Sequence, residues 1–98
     1  MNNVAYLITK KYLEDEIGQD ISEITEQEIF CEILSISQSE FFEAAQSGLK
    51  PQYKIKLWEA EYSGQDEVRI GDDYFTVYRN YTVNGMTELY LEKRGGSQ

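Results

Sequence analysis

Apolar and polar positions alternate with a period of two along most of the chain, and one stretch breaks that rhythm. Residues 4–13 predict a first strand, with Val4, Tyr6 and Ile8 on one face and Ala5, Leu7 and Thr9 on the other. Residues 25–35 predict a second. Ile29, Cys31 and Ile33 share a face, and Glu26, Glu28 and Glu32 lie opposite with Phe30 and Leu34. The charged end of that strand reads as solvated and its other end as buried on both sides. Residues 52–62 predict a third strand, with Tyr53, Ile55 and Leu57 set against Lys54, Lys56 and Trp58. The lysines suit a solvent face or a sheet edge, where they discourage unwanted pairing. Trp58 on the same face reads as a lid over a second small core or as an exposed anchor. A short strand over 67–70, a tight Gly71-Asp72 hairpin, a long strand over 74–82 and a last strand over 86–93 complete the pattern.

The exception is the run from Ile36 to Pro51, the only stretch that reads clearly as a helix. Ser37 is a good N-cap, because its hydroxyl can accept from an orphan amide of the first turn. Glu40, three residues on, completes a capping-box pattern, and Ile36 with Phe41 fits a hydrophobic staple. Gly48 can take the left-handed conformation that ends a helix, and Pro51 forbids resumption. The predicted helix covers about 38–47 and is too short to be stable alone. It must be held by packing, and Phe41, Ala45 and Leu49 are the expected contact face. Phe42 points partly away, toward a second core contact or a partner.

The turn before the last strand decides which residues share a core. A two-residue Asn84-Gly85 turn pairs Val83 with Met86 and sets Leu89 and Leu91 opposite Phe75 and Val77. A three-residue loop with Gly85 as a left-handed bulge residue reverses that parity. The second is preferred, because it gathers Phe75, Val77, Leu89 and Leu91 together. The expected fold is mainly β: a small antiparallel β-barrel or sandwich of about six strands, with the one short α-helix between the second and third. It is expected to form one domain over residues 1–98, with a flexible tail over about 94–98.

Charge narrows the partners. The net charge is −9 and the pI is about 4.4, so a nucleic-acid backbone would repel the chain. The single cysteine, Cys31, excludes an internal disulfide and reads as a small core residue in a reducing, cytosolic setting. The N-terminus lacks the long apolar run of a signal peptide, and no stretch approaches the length of a membrane span. Asn80-Tyr81-Thr82 fits a glycosylation acceptor by chance only. The acidic segment 14–20 lacks the ligand spacing of a calcium loop and reads as a solvated loop tip. Histidine is absent, which removes the commonest general base and the commonest metal ligand. One cysteine cannot make a zinc site, and no glycine-rich phosphate loop occurs. Glu59 and Glu61 share a predicted strand face, but nothing marks either as a buried catalytic acid. The residues alone therefore describe a β-rich interaction domain, with no catalytic, metal-binding or cofactor-binding residue expected.

The helical run from Ser35 to Pro51, Ser-Ile-Ser-Gln-Ser-Glu-Phe-Phe-Glu-Ala-Ala-Gln-Ser-Gly-Leu-Lys-Pro, resembles the phage head closure proteins. These are also called head–tail joining or adaptor proteins, and they belong to phages and prophages of Gram-positive bacteria. Three further segments support the likeness: Asp15-Glu16-Ile17-Gly18-Gln19, Phe30-Cys31-Glu32, and the hairpins through Gly71, Tyr74 and Val77 and then Glu88-Leu89-Tyr90-Leu91. The resemblance implies a small β-barrel with a helix and long loops, and a structural rather than enzymatic role. Such a protein closes the DNA-filled head below the portal, forms a ring in the connector of the virion, and offers a platform for the tail. Its assembly takes place in the host cytoplasm. The implied partners are a portal-adaptor protein, a tail-completion protein and further copies of itself, with the free chain monomeric; DNA passes through the channel without specific binding. A ring contact needs two different complementary patches. Lys54, Lys56 and Trp58 on one face and the acidic second strand are the expected pair, with Phe42 as a further contact. The segment Asp15, Glu16, Ile17, Gly18 and Gln19 is the expected portal-facing or channel-facing loop. The alternative is an acidic interaction protein of another kind, either a tail-completion adaptor or an inhibitor that mimics DNA.

Overall fold

A strand with period-two alternation can give one face to a shared interior, and here such strands close on themselves. The computed structural model describes residues 2–14, 18 and 20–93, with backbone alone for 12–14 and 20–22. In order, the elements are β1 (Asn3–Glu14), β2 (Asp20–Leu34), α1 (Gln38–Gln46), β3 (Pro51–Trp58), a 3₁₀ turn (Glu59–Glu61), β4 (Glu67–Ile70), β5 (Asp73–Val83) and β6 (Met86–Lys93). All neighbouring strands pair antiparallel, in the closed order β1-β2-β3-β6-β5-β4. The fold is a six-strand barrel rather than a sandwich, with the helix between the second and third strands as expected.

The interior is filled from every strand. Ala5, Leu7, Ile29, Cys31, Ile55, Leu57, Val68, Phe75, Leu89 and Leu91 form one buried cluster, with Tyr53 and Val77 packed against it. The Tyr53 and Phe75 rings lie 5.2 Å apart in a tilted pair, a favourable aromatic geometry. Thr87 is the one buried polar residue among those described, and its hydroxyl lies 2.8 Å from that of Thr82.

The β5–β6 parity is solved differently from the sequence expectation. Val83 pairs directly with Met86 across a two-residue turn, with Asn84 at φ 53° and Gly85 at φ 78°. Both central residues are left-handed, as a type I′ turn requires, and that turn suits the native twist of two strands. The turn alone would have put Phe75 and Val77 outside. The ladder instead slips between Val77 and Arg79: Arg79 faces Tyr90, whereas Val77 faces Leu91. Tyr78 is therefore an extra residue, a β-bulge that flips the parity below it. Phe75, Val77, Leu89 and Leu91 do share the core, through a mid-strand bulge rather than a three-residue loop.

The first hairpin is longer than the alternation suggests. β1 and β2 pair continuously from Asn3 opposite Cys31 to Glu14 opposite Asp20. The barrel uses only part of that ladder, since β4 holds β1 at residues 6–8 and β3 holds β2 at residues 32–34. Residues 9–14 and 20–25 thus form a two-stranded arm beyond the barrel, about 20 Å long at the usual rise per residue. The molecule measures 51 × 30 × 23 Å in consequence. The third strand is shorter than expected, ending at Trp58, and Glu59 and Glu61 belong to a 3₁₀ turn instead of sharing a strand face.

Deletion of Tyr78 should return β5 to a regular ladder in which Val77 still faces Leu91 and Phe75 stays in the core, so the cooperative urea transition should persist. Tyr78→Ala keeps the extra residue and should retain a cooperative transition at lower midpoint. Burial pushes the Cys31 thiol up to about 11. Its folded-state value is above the unfolded one, so its contribution to stability is full below about pH 9 and is lost as the pH rises toward 11. Urea midpoints measured from pH 8 to 11 should fall across that window, and less steeply for Cys31→Ala.

Candidate interaction surface

The outward face of β3, β6 and β5 carries the residues that sequence reasoning singled out on the third strand. Register sets three rows across it. Lys54 stands beside Tyr90 and Arg79, Lys56 beside Glu88 and Tyr81, and Trp58 beside Met86 and Val83. The three expected contact residues are thus neighbours on one surface, but they do different things.

Lys54 is already engaged. Its ammonium lies 3.2 Å from Glu88 Oε1 and 5.2 Å from the centre of the Tyr90 ring. Burial opposes its charge, but the Glu88 hydrogen bond prevails and holds its pKa above the usual lysine value. The Arg79 guanidinium sits 4.8 Å from the same ring, and Tyr78 packs on it at 6.1 Å. Tyr90 faces outward and is nonetheless buried. The second small core foreseen on this face exists, but its centre is Tyr90 under two cations, not Trp58. Trp58 is 56% exposed. Lys56 makes no ion pair among the described residues; it stands between Glu32 and Glu88 in register.

The helix is attached to this face by charge. Ser37 caps it as expected, accepting from the Glu40 amide at 3.2 Å. At its other end the Gly48 amide donates to Ala45 and the Leu49 amide to Ala44, with Gly48 at φ 83°, the Schellman arrangement. Glu40 does not turn back to close a capping box. Its carboxylate accepts from Arg79 and, at 3.5 Å, from the Tyr78 hydroxyl. Burial, with the Glu40 charge beside it, pushes the Tyr78 phenol up to about 12.

That ion pair also corrects the expected packing face. Residues 40 and 44 lie one above the other on a helix, so docking Glu40 on Arg79 turns Ala44 inward. Ala44 is the buried helix residue, and Phe41 and Ala45 are exposed while Leu49 is half-buried. Phe41 and Phe42 stand outside edge to face, their ring centres 6.3 Å apart. Phe42 is accordingly a surface residue, as one of its two readings had it. Phe30, expected to be buried where β2 approaches the helix, is 58% exposed.

On the other side of the barrel a second outward network fixes the root of the arm. Arg69 donates two hydrogen bonds to Glu26, at 2.8 and 3.0 Å, and one to the Gly71 carbonyl at 2.6 Å. Its guanidinium lies 4.2 Å from the Tyr6 ring. The Arg69 hydrogen bond lowers the pKa of Glu26. Lys10 pairs with Glu67 at 3.1 Å. A shallow cavity of about 250 Å³ opens here between Ile8, Ile24, Tyr74 and these charges.

Of the expected loop residues, Gly18 is exposed at φ 84°; Asp15, Glu16, Ile17 and Gln19 lie outside the described residues, as does the segment 94–98. Sequence reasoning missed Arg79, Glu40 and Tyr90 as a unit. Their spacing along the chain carries no common period, because strand register sets Arg79 beside Tyr90 and helix packing brings Glu40 to them. Among the described residues no group of three or more His, Cys, Asp or Glu is placed to hold a metal ion, and no helix is long and apolar enough to cross a membrane. The chain matches no model of a known protein family and no curated protein.

Glu40→Gln should loosen α1 without opening the barrel. The pair is half exposed on the arginine side, so its contribution is about 1 kcal/mol. Amide exchange over residues 38–46 should quicken by about fivefold, with exchange over β3 and β6 unchanged.

Proposed function

We propose that this chain is a phage head closure protein: it closes the DNA-filled head below the portal and joins head to tail, as one copy in a ring. The observation that carries the reading is the arrangement around the resembling run Ser35–Pro51. A capped helix is inserted between the second and third strands of a closed small barrel, and its two phenylalanines are left outside. A small barrel with a helix is what the resemblance implies, and the two exposed phenylalanines leave the helix free for contact with another chain. The β1–β2 arm adds support, because its ladder extends beyond the barrel as far as the Glu14–Asp20 pair. An arm of this kind can reach into a channel or onto a neighbouring ring while the barrel holds its position.

In this reading the chain works by binding and needs no reaction. The −9 charge of each copy keeps the channel wall from holding DNA by its phosphates, so genome can pass. Lys54 is committed to Glu88 and Tyr90, which leaves Lys56 as the lysine of this face available to a neighbouring copy.

Phage carrying a disrupted copy of this reading frame should yield separate tails and heads that leak DNA, seen by electron microscopy and a nuclease-protection assay. Purified protein added to the lysate should restore joining, and the Lys56→Glu protein should restore it less well than the wild type. Full, tailed particles in the absence of the protein would overturn the proposal.

A further inference from the structure

Four exposed apolar side chains and the half-buried Met86 fall on one line around the barrel. Val4 and Phe30 are register partners on the outward face of β1 and β2. Trp58, Met86 and Val83 are register partners across β3, β6 and β5. The β2–β3 ladder ends with Glu32 opposite Lys56, and one pleat further along each strand stand Phe30 and Trp58. The two short rows therefore meet at the same level and make a belt across five adjacent strands. Four of its members are between 38% and 58% exposed. Scattered apolar residues on a surface need no explanation, but a contiguous row centred on a phenylalanine and a tryptophan has the make-up of a binding hot spot.

The rim of the belt gives the chemistry of what covers it. Glu28, Glu32 and Glu59 border it, all exposed, and none makes an ion pair among the described residues. Among the described residues, the one uncommitted cation on the rim is Lys56. A second copy of the chain would bring the same acidic rim and the same −9 net charge, so charge disfavours self-pairing through the belt. A segment with an apolar face flanked by lysine or arginine satisfies both the row and its border.

We propose that the belt Val4–Phe30–Trp58–Met86–Val83 is the docking surface for a cationic, apolar-faced segment of another protein. The inference stands on register, exposure and rim charge, and does not depend on the head-closure reading. Docking there covers the apolar row and sets the partner's cations against Glu28, Glu32 and Glu59.

Trp58 is the sole tryptophan, so its fluorescence reports the belt directly. The probes are three synthetic peptides: an amphipathic leucine–lysine helix, a leucine–glutamate helix with the same apolar face, and oligolysine. The leucine–lysine peptide should shift Trp58 emission to shorter wavelength, saturably, and protect it from acrylamide. The other two should not. Phe30→Ser and Val83→Ser, exposed positions whose folding is checked by circular dichroism, should each weaken that binding about tenfold. The Glu28→Lys, Glu32→Lys double variant should prefer the leucine–glutamate peptide. An equal response to both amphipathic peptides, or full binding by the serine variants, would overturn the proposal. So would a blue shift of the protein alone with rising concentration, which would assign the belt to a second copy.

Discussion

A closed barrel imposes one condition on every strand: its apolar face must point to the common interior, because no free edge exists where a strand can turn over. The rest of this structure depends on how β5 meets that condition. The Asn84-Gly85 turn fixes the pairing of β5 with β6 and would set Phe75 and Val77 outside. One extra residue, Tyr78, restores the parity. The same slip puts Tyr78 on the outer surface, next to the Arg79 that the turn register already sets beside Tyr90, and Glu40 of the helix accepts from both. Core closure thus depends on the bulge, and the seat of the helix on the bulge and the turn register together.

The helix seat explains the unusual distribution of apolar surface. A short helix usually buries its apolar stripe. Here an ion pair selects the face, and the apolar residues at 41 and 42 are left to solvent. The barrel wall has a corresponding feature, since its interior is filled by Leu, Ile, Val and Phe from all six strands while Trp58 and Phe30 remain outside. Helix and wall thus both carry exposed aromatics, in a chain whose net charge is strongly negative.

Much of this was legible along the chain. Six strands, the helix, its Ser37 cap and its Gly48 stop all follow from local pattern, because alternation and capping are local physics. The inward faces of β2, β3 and β6 were also legible, from Ile29–Cys31, Ile55–Leu57 and Leu89–Leu91. What the chain did not show is what only tertiary register decides. The bulge at Tyr78 has no glycine or proline to announce it. The helix face was misplaced because Arg79 is distant in sequence from Glu40. The role of Lys54 was hidden because Tyr90 and Glu88 become its neighbours only when β3 pairs with β6. The length of the arm was missed because residues 20–24 carry little strand signal alone, and they become strand by pairing with 10–14.

The most direct test of the proposed function is a cryo-electron-microscopy reconstruction of the head–tail connector of a phage carrying this reading frame. The account predicts a ring of this barrel directly beneath the portal complex, with α1 and the outer β3–β6–β5 face in contact with neighbouring chains. A connector whose rings are all accounted for by other proteins would contradict it.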